Sequence, residues 1–374
     1  MTTDVTRNAA APIRAAFVGG GFMASVHSRA ARSARGELSV LASSSAESAA
    51  RTAASLGFAS ASDPAGAIAA EVDVVHVLTP NATHLDYALA AIDAGHHVIC
   101  EKPLATSGAD AQRLADAVAA AGLVGAVPFV YRYHPMVREA RARVGRGDLG
   151  RLLSIQASYL QDWLLSETDD NWRVDDGLGG PSRAFADIGS HLCDLVEFVT
   201  GDRIQRIAAT KRTFFTDRAE HRGVRTEDAV ALVVETAGGA IGTVLVSQAA
   251  PGRKNRLAIE VAGSAESIGF DQEQPETLWL GRRVGSQLLQ RETELLSPDA
   301  ARLSIVPGGH PLGYQDAFNA FVADAYAAIR GERPEGLPTF EDGVRAAVLT
   351  DAVLASAADG AWVDVPAGVR EVAA

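Results

Sequence analysis

The sequence predicts an α/β protein: an N-terminal parallel-sheet domain followed by an α+β domain with a large, mainly antiparallel open sheet. Three observations predict it. From Ile13 to about residue 130, short apolar runs alternate with alanine-rich helical stretches, the pattern of strands joined by right-handed crossovers. Beyond residue 131, longer β-rich runs succeed one another with turns between them. The chain of 374 residues is long enough for two domains and a sizeable core.

Residues 1–11 are polar and alanine-rich and are expected to fray. IRAAFV reads as a strand and FMASVHSRAARSA as a helix. LSVLAS is the next strand, followed by the helix AESAARTAASLG, which stops on Gly57. VDVVHVLTP has the continuous apolar character of a strand covered on both faces. THLDYALAAIDAG is a helix closing on Gly95, HHVICEKP a strand, GADAQRLADAVAAAG a helix and LVGAVPFVY a last strand. In the second segment LLSIQASYLQDW, IQRIAATKRTFF, AVALVVET, AIGTVLVSQAA and RLAIEVAG are strands, with Gly238-Gly239 as a hairpin turn. HLCDLVEFVTG is a helix ending on Gly201. In YQDAFNAFVADAYAAIRG, Phe318, Phe321, Val322, Ala325, Tyr326 and Ile329 share one helical face, a core stripe.

Composition narrows the class. Hydrophobic residues make up 47% and charged residues 21%, ordinary for a globular protein. A net charge of −12 argues against nucleic acid or an anionic membrane as the main partner. Cys100 and Cys193 lie far apart beside apolar residues, so buried free thiols are expected and no metal site is predicted. The start, MTTDVTRNAAAPI, lacks an apolar core of signal-peptide length, and no apolar run reaches the ~18 residues of a membrane span. A cytoplasmic location follows as the expectation.

Chemistry begins at VGGGFMASVH. A dinucleotide loop needs a strand, a tight turn and a helix N-terminus whose free N–H groups face the pyrophosphate. Gly19 suits the turn, Gly21 the close approach of phosphate, and Ala24 stands at the packing position where alanine is an accepted variant. The same residues could also form an ordinary strand–helix turn; their place at the first β–α junction favours the dinucleotide. An acidic residue at the end of the second strand would favour NAD. The chain instead has Ser43, Ser44 and Ser45, with Glu47 and Arg51 beyond, so the reading leans to NADP and leaves NAD open.

Two further segments carry reactive groups. ICEKPL puts Glu101, Lys102 and Pro103 at the C-terminal edge of the parallel sheet, where ligands bind. A lysine there can stabilise the alkoxide-like state of a substrate hydroxyl. In GGPSRAFADIGSHLCDLVEF, His191 opens a helix with Asp187 four residues before it and Asp194 three after. The spacing puts Asp194 on the face of His191, and a histidine beside a carboxylate suits proton transfer near neutral pH. A metal held by Asp187, His191 and Asp194 lacks a convincing ligand spacing.

Together these segments resemble the glucose-fructose oxidoreductase, inositol dehydrogenase and rhizopine-catabolism family (Gfo/Idh/MocA), from about Ile13 to Val365. The likeness rests on GGGFMASVH, TPNATH, EKPL, YRYHP, GGPSRAFADIGSHLCDL and FEDGVRAAVLTDAVLAS in the family's order. It implies a Rossmann dinucleotide-binding domain over residues 12–130 and a substrate-binding, self-associating domain over 131–374. It also implies an NAD(P)-dependent oxidoreductase that moves a hydride between nicotinamide and a secondary alcohol of a sugar, cyclitol or glycoside, working as a homodimer or homotetramer. By the same likeness Lys102 contacts the reacting hydroxyl, His191 is the general acid/base, Asp187 holds substrate and histidine, and Asp194 is structural or orienting. Pro103 matches a proline that is often cis.

The implied cofactor set is Gly19, Gly21, Phe22, Met23, Ser43, Ser44, Arg51, Thr79, Pro80, Asn81, His84, Glu101 and Lys102. The implied substrate set is Lys102, Tyr131, Arg132, Trp163, Trp172, Arg173, Asp187, His191 and His310. Trp163, Trp172 and Arg173 lie in a loop of a sugar-dehydrogenase-like subgroup, and Trp172 could equally fill a core corner. Three rival functions share the fold: a cofactor-retaining glycosidase, a non-catalytic nucleotide-sensing regulator, and oxidation of a bilin or other non-sugar substrate, which the intact histidine motif disfavours. The second would have lost the lysine or the histidine, and both are present.

Overall fold

The computed structural model describes residues 11–367. The expectation of a frayed leader falls on residues 1–10, which with 368–374 lie outside the described residues. Strands β1 (Ile13–Val18), β2 (Gly36–Ala42), β3 (Ser60–Ser62), β4 (Val74–Val77), β5 (His97–Cys100) and β6 (Gly125–Ala126) form a wholly parallel sheet in the order 3-2-1-4-5-6. Helices α1 (Phe22–Ser33), α2 (Ala46–Leu56), α3 (Pro64–Ile68), α4 (His84–Asp93) and α5 (Gly108–Ala120) make the connections.

Local chemistry sets the boundaries. The Ser45, Asp63 and Ser107 side chains accept the first backbone N–H groups of α2, α3 and α5. Gly57 ends α2 in the left-handed region that its missing Cβ permits. β3 and α3 were not foreseen; three residues of Ser-Ala-Ser carry no apolar pattern. The strand expected over LVGAVPFVY is two residues long. Pro128 has no N–H to continue a ladder, and Val130–Tyr133 wind into a 3-10 turn before α6 (Pro135–Arg146).

The second sheet runs β14-β13-β12-β11-β7-β10-β9-β8-β15. Its strands are β7 (Leu152–Leu160), β8 (Ile204–Arg212), β9 (Ala229–Thr236), β10 (Ile241–Ser247), β11 (Arg256–Gly263), β12 (Ser267–Asp271), β13 (Thr277–Arg282), β14 (Gly285–Gln290) and β15 (Val363–Asp364). The pair β7–β10 is parallel and the others are antiparallel. Gly238 and Gly239 turn the β9–β10 hairpin as expected, Gly239 at φ +86°. Between the strands lie α7 (Asp176–Gly179), α8 (Ser190–Thr200), α9 (Pro298–Leu303), α10 (Tyr314–Ile329) and α11 (Phe340–Asp359). Helices α6, α8 and α11 cover one face of this sheet. The other face leaves Val233, Ile241, Leu245, Trp279 and Leu288 exposed.

The last two long helices return to the first sheet. The aromatic stripe of α10 does enter a core, but one shared with Phe17, Val26, Ala30 and Ile99 of the first segment. Helix α11 packs on α5, and Ala126 bridges to Thr339.

The loop after β1 is sterically determined. Gly19 has φ +120°, and a Cβ there would lie 2.5 Å from the Leu78 carbonyl oxygen, whereas a Cβ on Gly21 meets no atom within 4 Å. Gly19→Ala should therefore lower stability by about 1–3 kcal/mol, the usual cost of a forbidden backbone conformation, and Gly21→Ala by much less. Chemical denaturation of the two variants checks this; equal midpoints would contradict it.

Candidate active site

The parallel sheet reverses direction of growth between β1 and β4, and the crevice beyond their C-terminal ends is where α/β sheets take ligands. A cavity of about 550 Å³ lies there, lined by Gly19, Gly20, Gly21, Phe22, Met23, Ser43, Ser44, Thr79, Pro80, Asn81, His84, Glu101, Lys102, Trp172 and Arg173 among others. Helix α1 starts at its edge with no side-chain cap and no acid in its first turn, so its N-terminal N–H groups are left for an anion. A second cavity, of about 480 Å³, adjoins it and shares Phe22, Met23, Glu101, Lys102 and Arg173. Its remaining wall includes Tyr131, Tyr159, Gln161, Trp163, Asp187, His191, Lys254, Asn255 and Tyr314.

Lys102 stands at the junction. Its Nζ donates to Asp187 Oδ1 at 2.5 Å and to the Asp187 carbonyl at 2.9 Å, so the pair ties the end of β5 to the turn before α8. That turn, Phe185–Gly189, is π-helical, and it leads directly into α8 and His191. The Lys102–Pro103 peptide is cis. Gln248 donates to Asp187 Oδ2 at 2.8 Å, and Arg173 Nε lies 3.5 Å from Oδ1. Burial alone would raise the Asp187 pKa, but Lys102 and then Arg173 hold it well below the ordinary carboxylate range. The opposite holds for His191: burial and the Lys102 charge push its pKa down to about 3, so the ring is neutral. Its Nδ1 is buried without a partner, a rare state for a ring nitrogen outside a working site.

Several expected residues lie elsewhere. Arg132 is buried in an ion pair with Asp194 and Asp342 and lines a separate cleft, because α8 presents Asp194 to it and away from the two cavities. Asp194 is thus committed to Arg132 and not to His191. Arg51 pairs with Glu47 at 3.1 Å on the exposed side of α2 and lines neither cavity. His310 sits in an exposed turn, its Nδ1 3.2 Å from the Pro307 carbonyl, and also lines neither. Trp172 lines the first cavity with Arg173 stacked on its ring at 4.4 Å, while Trp163 lines the second. His84 is buried, each ring nitrogen 2.8 Å from a carbonyl, of Pro103 or Thr79, so it also braces the loop that carries Lys102. Asn81 donates to the Gly179 carbonyl at 2.8 Å.

Sequence reasoning named Tyr131 and Trp163 on the far wall but missed Tyr159, Gln161 and Asn255 beside them. Asn255 accepts from Tyr159 at 2.7 Å and from Gln161 at 2.8 Å, and donates to Tyr131 at 3.0 Å. Trp163 donates to Gln161 at 2.8 Å. These residues and Gln248 follow or precede apolar strand runs, and only the pairing of β7 with β10 and β11 gathers them. A polar residue just past a strand's last apolar position was the available signal. The loop carrying Trp163 and Trp172 is held from behind. Buried Arg218 donates to the carbonyls of Leu164, Ser166 and Asp169 and, at 2.6 Å, to Asp228, which also binds buried Arg183.

Comparison with known proteins agrees with this architecture. Residues 13–129 match the model of an oxidoreductase family with an NAD-binding Rossmann fold, and residues 137–269 match the GFO/IDH/MocA C-terminal domain. Levoglucosan dehydrogenase of Pseudarthrobacter phenanthrenivorans is 31% identical, covering 94% of this chain and 97% of that protein. A levoglucosan dehydrogenase structure in complex with NADH and levoglucosan aligns over 95% of this chain and 100% of that one, at TM-score 0.89 and 30% identity. An oxidoreductase domain protein from Kribbella flavida aligns over 95% and 99% at TM-score 0.88 and 33% identity.

The depressed His191 pKa has a thermodynamic consequence. Between its folded value of about 3 and its ordinary value of 6.5, the unfolded chain binds the proton and the folded one does not. Stability is therefore kept above pH 6.5 and lost as pH falls through that window. His191→Gln should reduce the dependence of unfolding free energy on pH between 6.5 and 4 by up to about one proton. Denaturant titrations across that range test it; an unchanged slope would mean His191 is already protonated when folded.

Proposed function

The chain belongs to the Gfo/Idh/MocA oxidoreductase family, and from that premise we propose that Lys102, His191 and Asp187 carry out its chemistry, the reversible oxidation of a secondary alcohol on a sugar, cyclitol or glycoside. The observation that carries this reading is the Lys102–Asp187 pair at the junction of the two cavities, with neutral His191 on the wall of the second. The first cavity suits a nicotinamide dinucleotide: its uncapped helix start can receive the pyrophosphate and its glycines leave room for it. Bound there, the nicotinamide supplies the hydride acceptor for oxidation and the donor for reduction.

The protein's own groups handle the oxygen and its proton. As the carbinol carbon gives up hydride, His191 takes the hydroxyl proton, and the carbonyl forms without a free alkoxide. Lys102 donates a hydrogen bond to that oxygen and stabilises its developing negative charge. Asp187 and Gln248 fix the ammonium, leaving little reorganisation at the moment of reaction. The wall of Tyr131, Tyr159, Asn255, Gln161 and Trp163 offers donors, acceptors and ring faces, suited to a polyhydroxylic ring. The levoglucosan dehydrogenases described above are named for a sugar derivative, which supports that class. The glycosidase and regulator readings gain no support from them.

The finer readings follow. Residues 12–130 serve the dinucleotide, and 131–374 the substrate and self-association. With no carboxylate at the end of β2, Ser43 and Ser44 admit a 2′-phosphate, so NADP(H) is accepted as well as NAD(H); Arg51 contributes only if it leaves Glu47. The exposed apolar row Val233, Ile241, Leu245, Trp279 and Leu288 is the face on which copies associate, as a dimer or tetramer. Among the described residues no helix is long and apolar enough to cross a membrane, in keeping with a cytoplasmic location.

Two outcomes test these assignments. Lys102→Ala and His191→Ala should each keep a thermal shift with NAD(H) or NADP(H) and lose turnover by about 100- to 10,000-fold, the usual weight of an acid–base group; near-normal kcat in either rejects its role. Ile241→Lys with Leu245→Glu should give a monomer by light scattering, and an unchanged mass moves the interface elsewhere.

A further inference from the structure

A row of four buried polar side chains runs from the junction of the two cavities along the face of the first sheet that α1 and α10 cover. Glu101 Oε1 lies 2.9 Å from His27 Nε2, His27 Nδ1 lies 2.9 Å from His76 Nδ1, and His76 Nε2 lies 3.0 Å from the Tyr326 hydroxyl. The groups come from β5, α1, β4 and α10, and each is buried. His76 stacks on Phe17 at 4.4 Å, and His27 meets Phe318 edge-on at 5.0 Å. Four polar groups in an apolar layer are costly unless all are bonded.

Proton counting gives the row a direction. An ionised Glu101 only accepts, so His27 carries its proton on Nε2. One tautomer set satisfies every contact with all donors toward the carboxylate: His27 Nδ1 accepts from His76 Nδ1, and the Tyr326 hydroxyl donates to His76 Nε2. Burial would raise the Glu101 pKa, but the His27 hydrogen bond brings it below the ordinary value. Among the described residues no lysine or arginine is bonded to the carboxylate: its partners are His27 and the Lys102 backbone N–H at 3.2 Å. The Lys102 ammonium is taken by Asp187, as is Arg173, and His191 is neutral. Glu101 lines both cavities.

We propose that Tyr326, His76 and His27 are positioning residues that hold the Glu101 carboxylate ionised at the cavity junction, and that this carboxylate biases the site toward the oxidised nicotinamide. The oxidised ring is cationic and the reduced ring is neutral, so a fixed negative charge binds the two forms unequally. The inference rests on the first cavity holding a nicotinamide dinucleotide. The row ties α10, which lines the second cavity at Tyr314, to β4 of the first sheet.

Equilibrium titration of the full chain with NAD+ and with NADH, read by calorimetry, tests it. Glu101→Gln should weaken NAD+ by roughly tenfold with NADH nearly unchanged, the size expected for removing one partly screened charge. Tyr326→Phe keeps the ring and removes only the terminal donor; it should move the NAD+/NADH affinity ratio in the same direction by about two- to threefold, the worth of one hydrogen bond. A ratio unchanged in Tyr326→Phe and Glu101→Gln, or a parallel loss of both forms, overturns the proposal and leaves a purely structural row. Wild-type protein that binds neither form overturns the cofactor reading together with it.

Discussion

The ion pair between Lys102 and Asp187 is the constraint on which the arrangement of the site depends. It joins the edge of the parallel sheet to the turn that starts α8, so one contact sets the position of both cavities' shared wall. A buried pair of this kind contributes little net stability, because desolvation offsets most of the Coulomb attraction. Its value lies in specifying geometry. The ammonium must point toward the second cavity because Asp187 and the Asp187 carbonyl both accept from it, and Asp187 in turn is held by Gln248. His191, four residues on, inherits its place from the same turn.

The site was legible where local sequence implies position. A strand followed by EKP places a lysine at a sheet edge, and a glycine-rich turn before an alanine-rich helix marks an anion-binding end. The three-residue β3 and the two-residue β6 were not legible, since tertiary pairing and not pattern makes them strands. Arg132 was misread for a related reason. Helical periodicity says which residues share a face, but not that Asp342 would arrive from α11 to complete a pair with Arg132 and Asp194. His310 was misread because a histidine in a loop has no pattern to say where the loop goes. The Asn255 wall and Gln248 depended on strand register across a sheet of distant pairings, information spread over about a hundred residues of chain.

The substrate-side loop shows a second use of buried charge. Arg218 and Arg183 converge on Asp228 beneath it, and Arg218 Nη1 and Nη2 also donate to three loop carbonyls. The loop bearing Trp163, Trp172 and Arg173 lacks regular hydrogen bonding over most of its length, so side-chain donors substitute for a ladder. Rigidity at the rim and at the Lys102–Asp187 junction thus has the same physical origin, guanidinium or ammonium groups bound to carboxylates and carbonyls.

The return of α10 and α11 to the first sheet bears on how the molecule is made. During synthesis, the parallel sheet emerges first, yet part of the core around Phe17, Val26 and Ile99 comes from beyond residue 313, and the α11 surface that packs on α5 lies beyond 339. Until some 350 residues have left the ribosome, that sheet carries an open apolar flank and His76 lacks its tyrosine. The polypeptide must therefore be nearly finished before its first strand is fully enclosed, which puts the last contacts of the first sheet among those of greatest sequence separation.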